Sequence, residues 1–412
     1  MNSEVRHIGW WLGSLLMLLL AVGCSSGSED AESPQPKEKA VLKLYVFPPD
    51  KPIVTRDDVG NVDATTDENR ISTLDVWVFE TGTSNLVSYA HLNSPEFDAK
   101  NQRVVTMDIS DTFADNSSKP NVDIFVAANA AAYSDKALHR ETSVTDLQGA
   151  LIKYVSASVD HFGMSGLENL ANSVMAVPAD GLPMSGFLKN QPITGSAPVF
   201  EAKTQNVKLV RAVSKIRFIF SKSTQGAPEV SNLSVSLNAD MLPNEEYLFL
   251  DGTSVAKSHI NTAGAYNTAA TFFSGKSIED IGDCSDPVSY GFRSTTATAA
   301  ETGQEYETRI NEALAHTDDV TGAADPYVTE LGRFYLRESD KQLKGKITYT
   351  LGSGATAINK SADFSMAAAG DFTRNHTWIV YGYFLGSGDL ILNVVCVKAW
   401  TDSNDAERIH NW

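Results

Sequence analysis

The chain is predicted to be all-β and to divide into two domains. Three observations carry this. Aromatic and β-branched residues recur in short runs punctuated by Gly, Asn and Ser. A length of 412 residues exceeds one typical core, while an apolar content of 42% is enough to fill two. Helical spacing of apolar residues shows in a single segment, 143–156. The formal charge of -18, from 51 acidic and 33 basic residues, excludes nucleic acid and anionic membrane surfaces as natural partners. Three cysteines, Cys24, Cys284 and Cys396, are too few for a disulfide scaffold.

Residues 1–23 have the layout of an export signal: Arg6, then an apolar run from Ile8 to Val22 that is short for a membrane span, then Gly23-Cys24. Ala21-Val22-Gly23-Cys24 resembles a bacterial lipobox, in which Cys24 is lipidated and becomes the new N-terminus. Ala21 stands where such motifs usually carry Leu, and plain cleavage is the alternative. Residues 24–40 are polar, with Glu29-Asp30-Ala31-Glu32 and two prolines, and read as a flexible tether.

The first strand is Val41-Leu42-Lys43-Leu44-Tyr45-Val46-Phe47, alternating in character, with Leu42, Leu44 and Val46 on one face, and stopped by Pro48-Pro49. A second strand, Leu74-Asp75-Val76-Trp77-Val78-Phe79, ends at Thr81-Gly82. Between them residues 50–73 hold Lys51, Arg56 and Arg70 among Asp57, Asp58, Asp63, Asp67 and Glu68. A connection of that length is functional or disordered in most proteins, and this one reads as a place to be cut.

Further strands are expected at 103–109, 122–130, 230–237, 247–250, 334–338, 344–351, 364–366, 378–385 and 390–400. One helix is expected over 143–156 from Val144, Leu147, Leu151 and Val155, and a short extended piece over 181–186. Residues 207–220 alternate basic and apolar side chains around Lys215 and Arg217, which predicts one dry and one wet face, and the second domain is placed at 206–412 after a first domain at 41–205. Residues 252–327, rich in Thr, Ala, Ser and Gly, carry no clear pattern. Gly352-Ser353-Gly354 and Gly386-Ser387-Gly388 join strand-like runs and read as hairpin turns, not phosphate loops. The eight histidines are scattered, the aspartates of 57–67 miss the EF-hand spacing, and no catalytic residue, metal or cofactor is predicted. Cys396 sits in an apolar strand as a small hydrophobe, with a bond to Cys284 as the alternative.

The order of these landmarks resembles the type V pilins, or FimA-like (Mfa-like) fimbrillins, of the Bacteroidota. The match comprises the lipobox, the first strand, an arginine in the loop, Ile71-Ser72-Thr73-Leu74-Asp75-Val76-Trp77-Val78-Phe79, Ala128-Asn129-Ala130, Leu182-Pro183-Met184-Ser185-Gly186, Leu209-Val210-Arg211-Ala212-Val213-Ser214-Lys215, Phe334-Tyr335-Leu336-Arg337-Glu338 and Arg374-Asn375-His376. The resemblance implies two tandem transthyretin-like, Greek-key β-sandwiches with one or two short helices. It implies a lipoprotein precursor held at the outer membrane through Cys24 and an arginine-specific protease that cuts after the first strand. It also implies other pilin subunits as partners, one of which fills the vacated groove, and a host or bacterial surface ligand for the finished fimbria.

Carried over by position, the cut falls after Arg56, before Asp57, with Arg70 as runner-up; Asp57 departs from the small residue the family often has there. The removable part is 41–56. The donor strand is sought in 390–412, where Leu390, Leu392, Val394 and Cys396 share a face and Trp400 follows; the alternative is that these are only the last strand of the second sandwich. Removing the first 56 residues takes away six basic and six acidic side chains, so the charge stays at -18. Within the family, shaft, tip and anchor roles remain open, and outside it a surface glycan-binding lipoprotein does. Trp77 and Trp378 lie in strand runs, so no exposed aromatic platform for a glycan is visible in the sequence.

Overall fold

A computed structural model of the chain describes residues 40–49, 67–99, 101–115, 119–152, 162, 173–196, 199–201, 207–225, 229–249, 265–287, 289, 303–366, 369 and 372–397. All of them fall in one unit, Lys39–Trp412. The first half holds β1 (Val41–Phe47), β2 (Thr73–Glu80), β3 (Leu86–Asn93), β4 (Arg103–Asp108), helix α1 (Asp111–Asp115) and β5 (Val122–Ala128). After helix α2 (Val144–Gln148) come β6 (Leu151–Ile152), β7 (Met184–Gln191), β8 (Thr194–Ser196), β9 (Val199–Glu201), β10 (Val207–Lys208) and β11 (Val210–Arg211). The second half holds β12 (Ser214–Lys222), β13 (Val230–Leu237), β14 (Glu246–Tyr247), β15 (Ala270–Lys276), β16 (Gly282–Asp283) and helix α3 (Gly303–Leu314). It ends with β17 (Thr329–Leu336), β18 (Lys344–Leu351), β19 (Ile358–Ser365), β20 (Thr377–Phe384) and β21 (Leu390–Val397).

These strands form two sandwiches. In the first, a sheet ordered β10-β1-β9-β8, with β4 on the other edge of β1, faces a sheet ordered β11-β7-β5-β2-β3. Leu42, Leu44 and Val46 meet Leu74, Val76, Val78, Ile124 and Val126 in the core between them. In the second, β16-β12-β20-β21, with β17 on β12, faces β15-β13-β18-β19. A cluster of rings, Phe218 against Phe272, Phe273, Phe334 and Phe364, fills that core. The chain crosses from the first pair of sheets to the second at Ala212 and Val213, both fully buried.

β2 and β5 read as apolar at nearly every position because both of their faces are covered. Val76 and Val78 point into the first core, while Trp77, Phe79 and Phe125 join the cluster that continues into the second half. Phe249 stacks edge-on against Phe125 across this seam, with ring centroids 5.3 Å apart.

Several elements differ from expectation. The helix at 143–156 is only α2. Ser143 caps it by accepting from the Asp146 amide, and Gly149 closes it with its N–H on the carbonyls of Leu147 and Thr145. Leu151 then pairs with Tyr247 in β6/β14, while Val155 lies outside the described residues. The expected short pieces at 181–186 and 364–366 overlap the longer strands β7 and β19, with 181–183 and Met366 outside them, and β3, β15 and α3 occupy stretches where the sequence predicts no element. The two glycine-serine-glycine turns do join antiparallel hairpins, β18 to β19 and β20 to β21. No helix among the described residues is long and apolar enough to cross a membrane.

The wet face predicted for 207–220 is found only at its start, where Lys208 is exposed, and not around Lys215 and Arg217. Every residue from Ser214 to Ser221 is buried, Lys215 and Arg217 included. α3 lies over that face, packing Ile310 and Ala313 against Ile219, Ile379 and Tyr381. Arg217 survives there because carboxylates were brought to it: Nε stands 2.6 Å from Glu330, Nη1 2.9 Å from Glu307, and Nη1 also donates to Asn311 at 3.1 Å. Burial works to lower its pKa, but Glu330 and Glu307 outweigh that and hold it above the usual range. Arg217→Ala should cost about 3 kcal/mol or more in denaturant titrations, because it leaves two buried carboxylates short of a partner. An exposed-face arginine would change the midpoint by a few tenths.

Candidate functional site

β1 is an interior strand. On one edge it runs antiparallel to β4, from Val41 opposite Asp108 to Val46 opposite Arg103. On the other it runs parallel to β9, from Val41 to Lys43, and to β10 at Val46 and Phe47. Its ends are pinned as well, since Ala40 O accepts from the Ile109 amide at 3.0 Å and Phe47 O from the Leu209 amide at 2.9 Å. Leu42, Leu44 and Val46 are at most 1% exposed, against Val105, Met107, Phe200, Val207 and Leu209. Lys43 and Tyr45 face outward, half-buried. The alternation visible in the sequence is thus the alternation between core and surface, and this strand alone separates β4 from β9 and β10.

From Asp67 onward, the segment that leads into β2 is tightly held. The Arg70 amide donates to Asp67 O at 3.1 Å, closing a turn. Glu68, 1% exposed, accepts from Tyr335 Oη at 2.5 Å and stands 3.3 Å from Lys215 Nζ. Arg211 donates from Nε to Glu68 O at 3.1 Å, from Nη1 to Asn375 at 3.0 Å, and from Nη2 to Asn69. Burial lowers the pKa of Arg211 to about 10, with Glu68 pulling the other way.

Asn129 holds the next stretch. Its Oδ1 accepts from the amides of Ser72 at 2.7 Å and Thr73 at 3.3 Å, and its Nδ2 donates to Arg70 O at 2.7 Å and Leu182 O at 3.0 Å. The residue sits at φ 55°, in the left-handed region that Asn tolerates best after Gly. Gly181 (φ 85°) has no room for a Cβ, which would fall 2.4 Å from Asn129 Nδ2.

A third group of motif residues gathers at residues 246–249, which lie between the two sandwiches. Arg374 donates to Glu338 at 2.7 Å, to Leu248 O at 3.0 Å and to Tyr247 O at 2.7 Å. Ser185 Oγ donates to Leu248 O at 2.6 Å, and Arg337 Nε to Ile152 O at 3.1 Å. Glu246, fully buried, accepts from the Glu338 amide at 3.0 Å, and its Oε1 has no hydrogen-bond partner among the described residues. Burial, reinforced by Glu338 and opposed by Arg374, pushes its pKa up to about 8.

Of the predicted site residues, Leu42, Leu44 and Val46 are therefore brought together in one groove. Arg70 is described; Cys24, Arg56, Asp57 and Trp400 lie outside the described residues. β21 pairs with β20 along its whole length and forms the end of its sheet. Leu390, Leu392 and Val394 lean on the second core but are only partly buried. Cys396 stands opposite Trp378 in the ladder, and Cys284 is a free, buried thiol. Trp77 and Trp378 are both buried. The sequence does not mark Glu68 and Asn129 as site residues. Asn129 carried a signal, an Asn closing an apolar strand; Glu68 had none beyond its charge.

A family model described as major fimbrial subunit protein (FimA) matches residues 25–238. The chain belongs to the FimA fimbrial subunit family. No curated protein matches it. Among solved structures, a candidate cell adhesion protein from Parabacteroides distasonis is 14% identical, with TM-score 0.48, over 89% of this chain and 100% of that one. The C-terminally truncated tip fimbrial protein Mfa3 from Porphyromonas gingivalis is 12% identical, with TM-score 0.43, over 87% and 99%. A fimbrial protein from Bacteroides vulgatus is 8% identical, with TM-score 0.40, over 88% and 99%.

The Glu246 cluster gives a pH test. A carboxyl whose folded pKa is raised contributes stability in full below its ordinary value, near 4.5, and loses it as pH rises through about 8. Thermal melts should therefore fall more steeply between pH 5 and pH 8 in the wild type than in Glu246→Gln. Parallel pH profiles would show that the side chain is not held neutral.

Proposed function

We propose that this fimbrial subunit is made as a lipoprotein precursor, lipidated at Cys24 and carried to the outer membrane surface. An arginine-specific protease cuts it after Arg56, and it polymerises when an extended segment of a neighbouring pilin replaces β1. The polymer serves adhesion to a host or bacterial surface ligand. The observation that carries this reading is the interior position of β1, paired on both edges and buried through Leu42, Leu44 and Val46.

Magnitudes favour replacement over an empty groove. Three fully buried aliphatic side chains contribute about 5–9 kcal/mol, at about 1.5–3 each. Each ladder hydrogen bond adds about 0.5–1.5 kcal/mol net. A folded domain has a total margin of about 5–15 kcal/mol, so a subunit that has lost β1 is near the limit of stability until another strand enters. Two unpaired edges facing one gap select an extended chain as the filler. The domain plan that follows is an acceptor sandwich at 41–205, with 41–56 expendable, and a second sandwich at 206–412 that supplies Leu390, Leu392, Val394, Cys396 and Trp400 to the next acceptor.

A tip role is the second reading. It is favoured by the full-length pairing of β21 with β20, since a strand so held accepts no second post unless it is pulled out. Purified precursor treated with an arginine-specific protease should acquire Asp57 as its N-terminus and give a ladder on an unboiled SDS gel, while Arg56→Ala should give neither. A ladder from Arg56→Ala removes the cut site; clean cleavage without a ladder favours the tip.

A further inference from the structure

We propose that residues 67–73 form a clasp that withholds Arg70 from the processing protease, so that the loop is cut at one arginine and its exit stays fastened to the body of the subunit. This rests on the reading that the loop is cut after Arg56. Arg70 carries the same side chain in the same connection, and at 39% exposed its guanidinium is partly open to solvent. Exposure alone would make it a second target.

The geometry around it is wrong for a protease. An endoprotease binds its substrate as an extended strand, with backbone groups and the specificity side chain free to pair with the enzyme. At Arg70 each of these is taken. The side chain donates to Pro178 O at 2.9 Å, and the amide is tied into the turn with Asp67. The carbonyl of the bond to be cut accepts from Asn129, and the amides of Ser72 and Thr73 are on the same asparagine. Ile71, on the far side of that bond, is buried in the first core. Before the arginine, Asn69 is held by Arg211 and Glu68 by Tyr335 and Lys215. Cleavage at Arg70 therefore requires local opening of the whole stretch.

The clasp also explains why a second cut would do harm. A chain beginning at Ile71 would lack Glu68 and Asn69, so buried Lys215 would lose one carboxylate and keep Glu307 at 3.6 Å, and buried Arg211 would lose two acceptors and keep Asn375.

The test uses the full precursor carrying Arg56→Ala, in which Arg70 is the only arginine left between β1 and β2. Incubated with an arginine-specific endoprotease and read by mass spectrometry, it should release no product beginning at Ile71 while the wild type is fully converted to one beginning at Asp57. Adding Asn129→Gly, which keeps the left-handed backbone and removes the clasping side chain, should raise the Ile71 product by about tenfold or more, because cleavage then follows the population of the opened loop. Glu68→Gln in the same background provides a second variant with the side-chain volume kept. The proposal is overturned if Arg56→Ala alone yields the Ile71 product at the wild-type rate, or if both added variants, folded by circular dichroism, leave that rate unchanged. A wild type left uncut after Arg56 refutes the cut-site reading instead, and the Arg56→Ala comparison still reports on the clasp.

Discussion

The first sandwich depends on a strand that touches its neighbours on three sides. β1 supplies hydrogen-bonding edges to β4, β9 and β10 and side chains to the core. A backbone group denied its partner inside a protein costs about as much as a hydrogen bond is worth, so the absence of such a strand is felt along its entire length. Loss of a strand at the edge of a sheet would bare one ladder. Here β1 lies in the interior, and the short parallel strands β10 and β9, the latter with its hairpin partner β8, join the sheet through it. Nothing in the stability of the fold asks for that arrangement, which concentrates dependence in the one segment most easily removed from a chain.

A second constraint acts at the junction. Arg211, Lys215, Arg217, Arg337 and Arg374 are all nearly inaccessible, and each has been given carboxylates or carbonyls from distant parts of the sequence. Buried ion pairs of this kind add little net stability compared with apolar residues of the same size, but they tolerate only one arrangement, because a shifted partner leaves a charge stranded. Glu246 and Tyr247 pair with β6, and the carbonyls of Tyr247 and Leu248 accept from Arg374, so the two sandwiches share a polar framework as well as the Phe125 and Phe249 contact. The exit of the loop after β1 enters that framework through Glu68. The groove and the junction are thereby connected through residues 207–215, whose backbone pairs with β1 at one end and whose Lys215 side chain holds Glu68 at the other.

Much of the β architecture was legible because its signals are local. β1 alternates, β20 and β5 are continuous apolar runs, and the glycine-serine-glycine turns sit between strand-like segments. β3 was not legible: Leu86-Val87-Ser88-Tyr89-Ala90-His91-Leu92-Asn93 mixes polar and apolar residues because it ends its sheet, and its His91 and Tyr89 hydrogen-bond to Asp75 on the neighbouring strand. α3 was hidden because its buried face includes Glu307, which faces a charge rather than oil. In the sequence Lys215 and Arg217 look solvated for the same reason. Alternation reports which residues share a face, and only the partners, here 90 and 147 residues away, decide whether that face is wet. At the site, the three aliphatic residues of β1 were identified from spacing, whereas Asn129 and Glu68 act through hydrogen bonds to segments that no sequence window spans.

The surface charge bears on how such subunits meet. A charge of -18 is unchanged by loss of the first 56 residues, so the proposed cut would do nothing to relieve repulsion between copies. Screening confines that repulsion to about 8 Å at physiological salt, which leaves bulk association unfavourable but spares contacts made at van der Waals distance. Attraction must then come from a term that is short-ranged, large and available only after a specific event. An apolar groove walled by two open ladders meets all three conditions, since it offers nothing while β1 fills it. In the proposed assembly the acidic surface keeps precursors apart, and the same surface leaves the vacated groove as the one place where two mature subunits gain by touching.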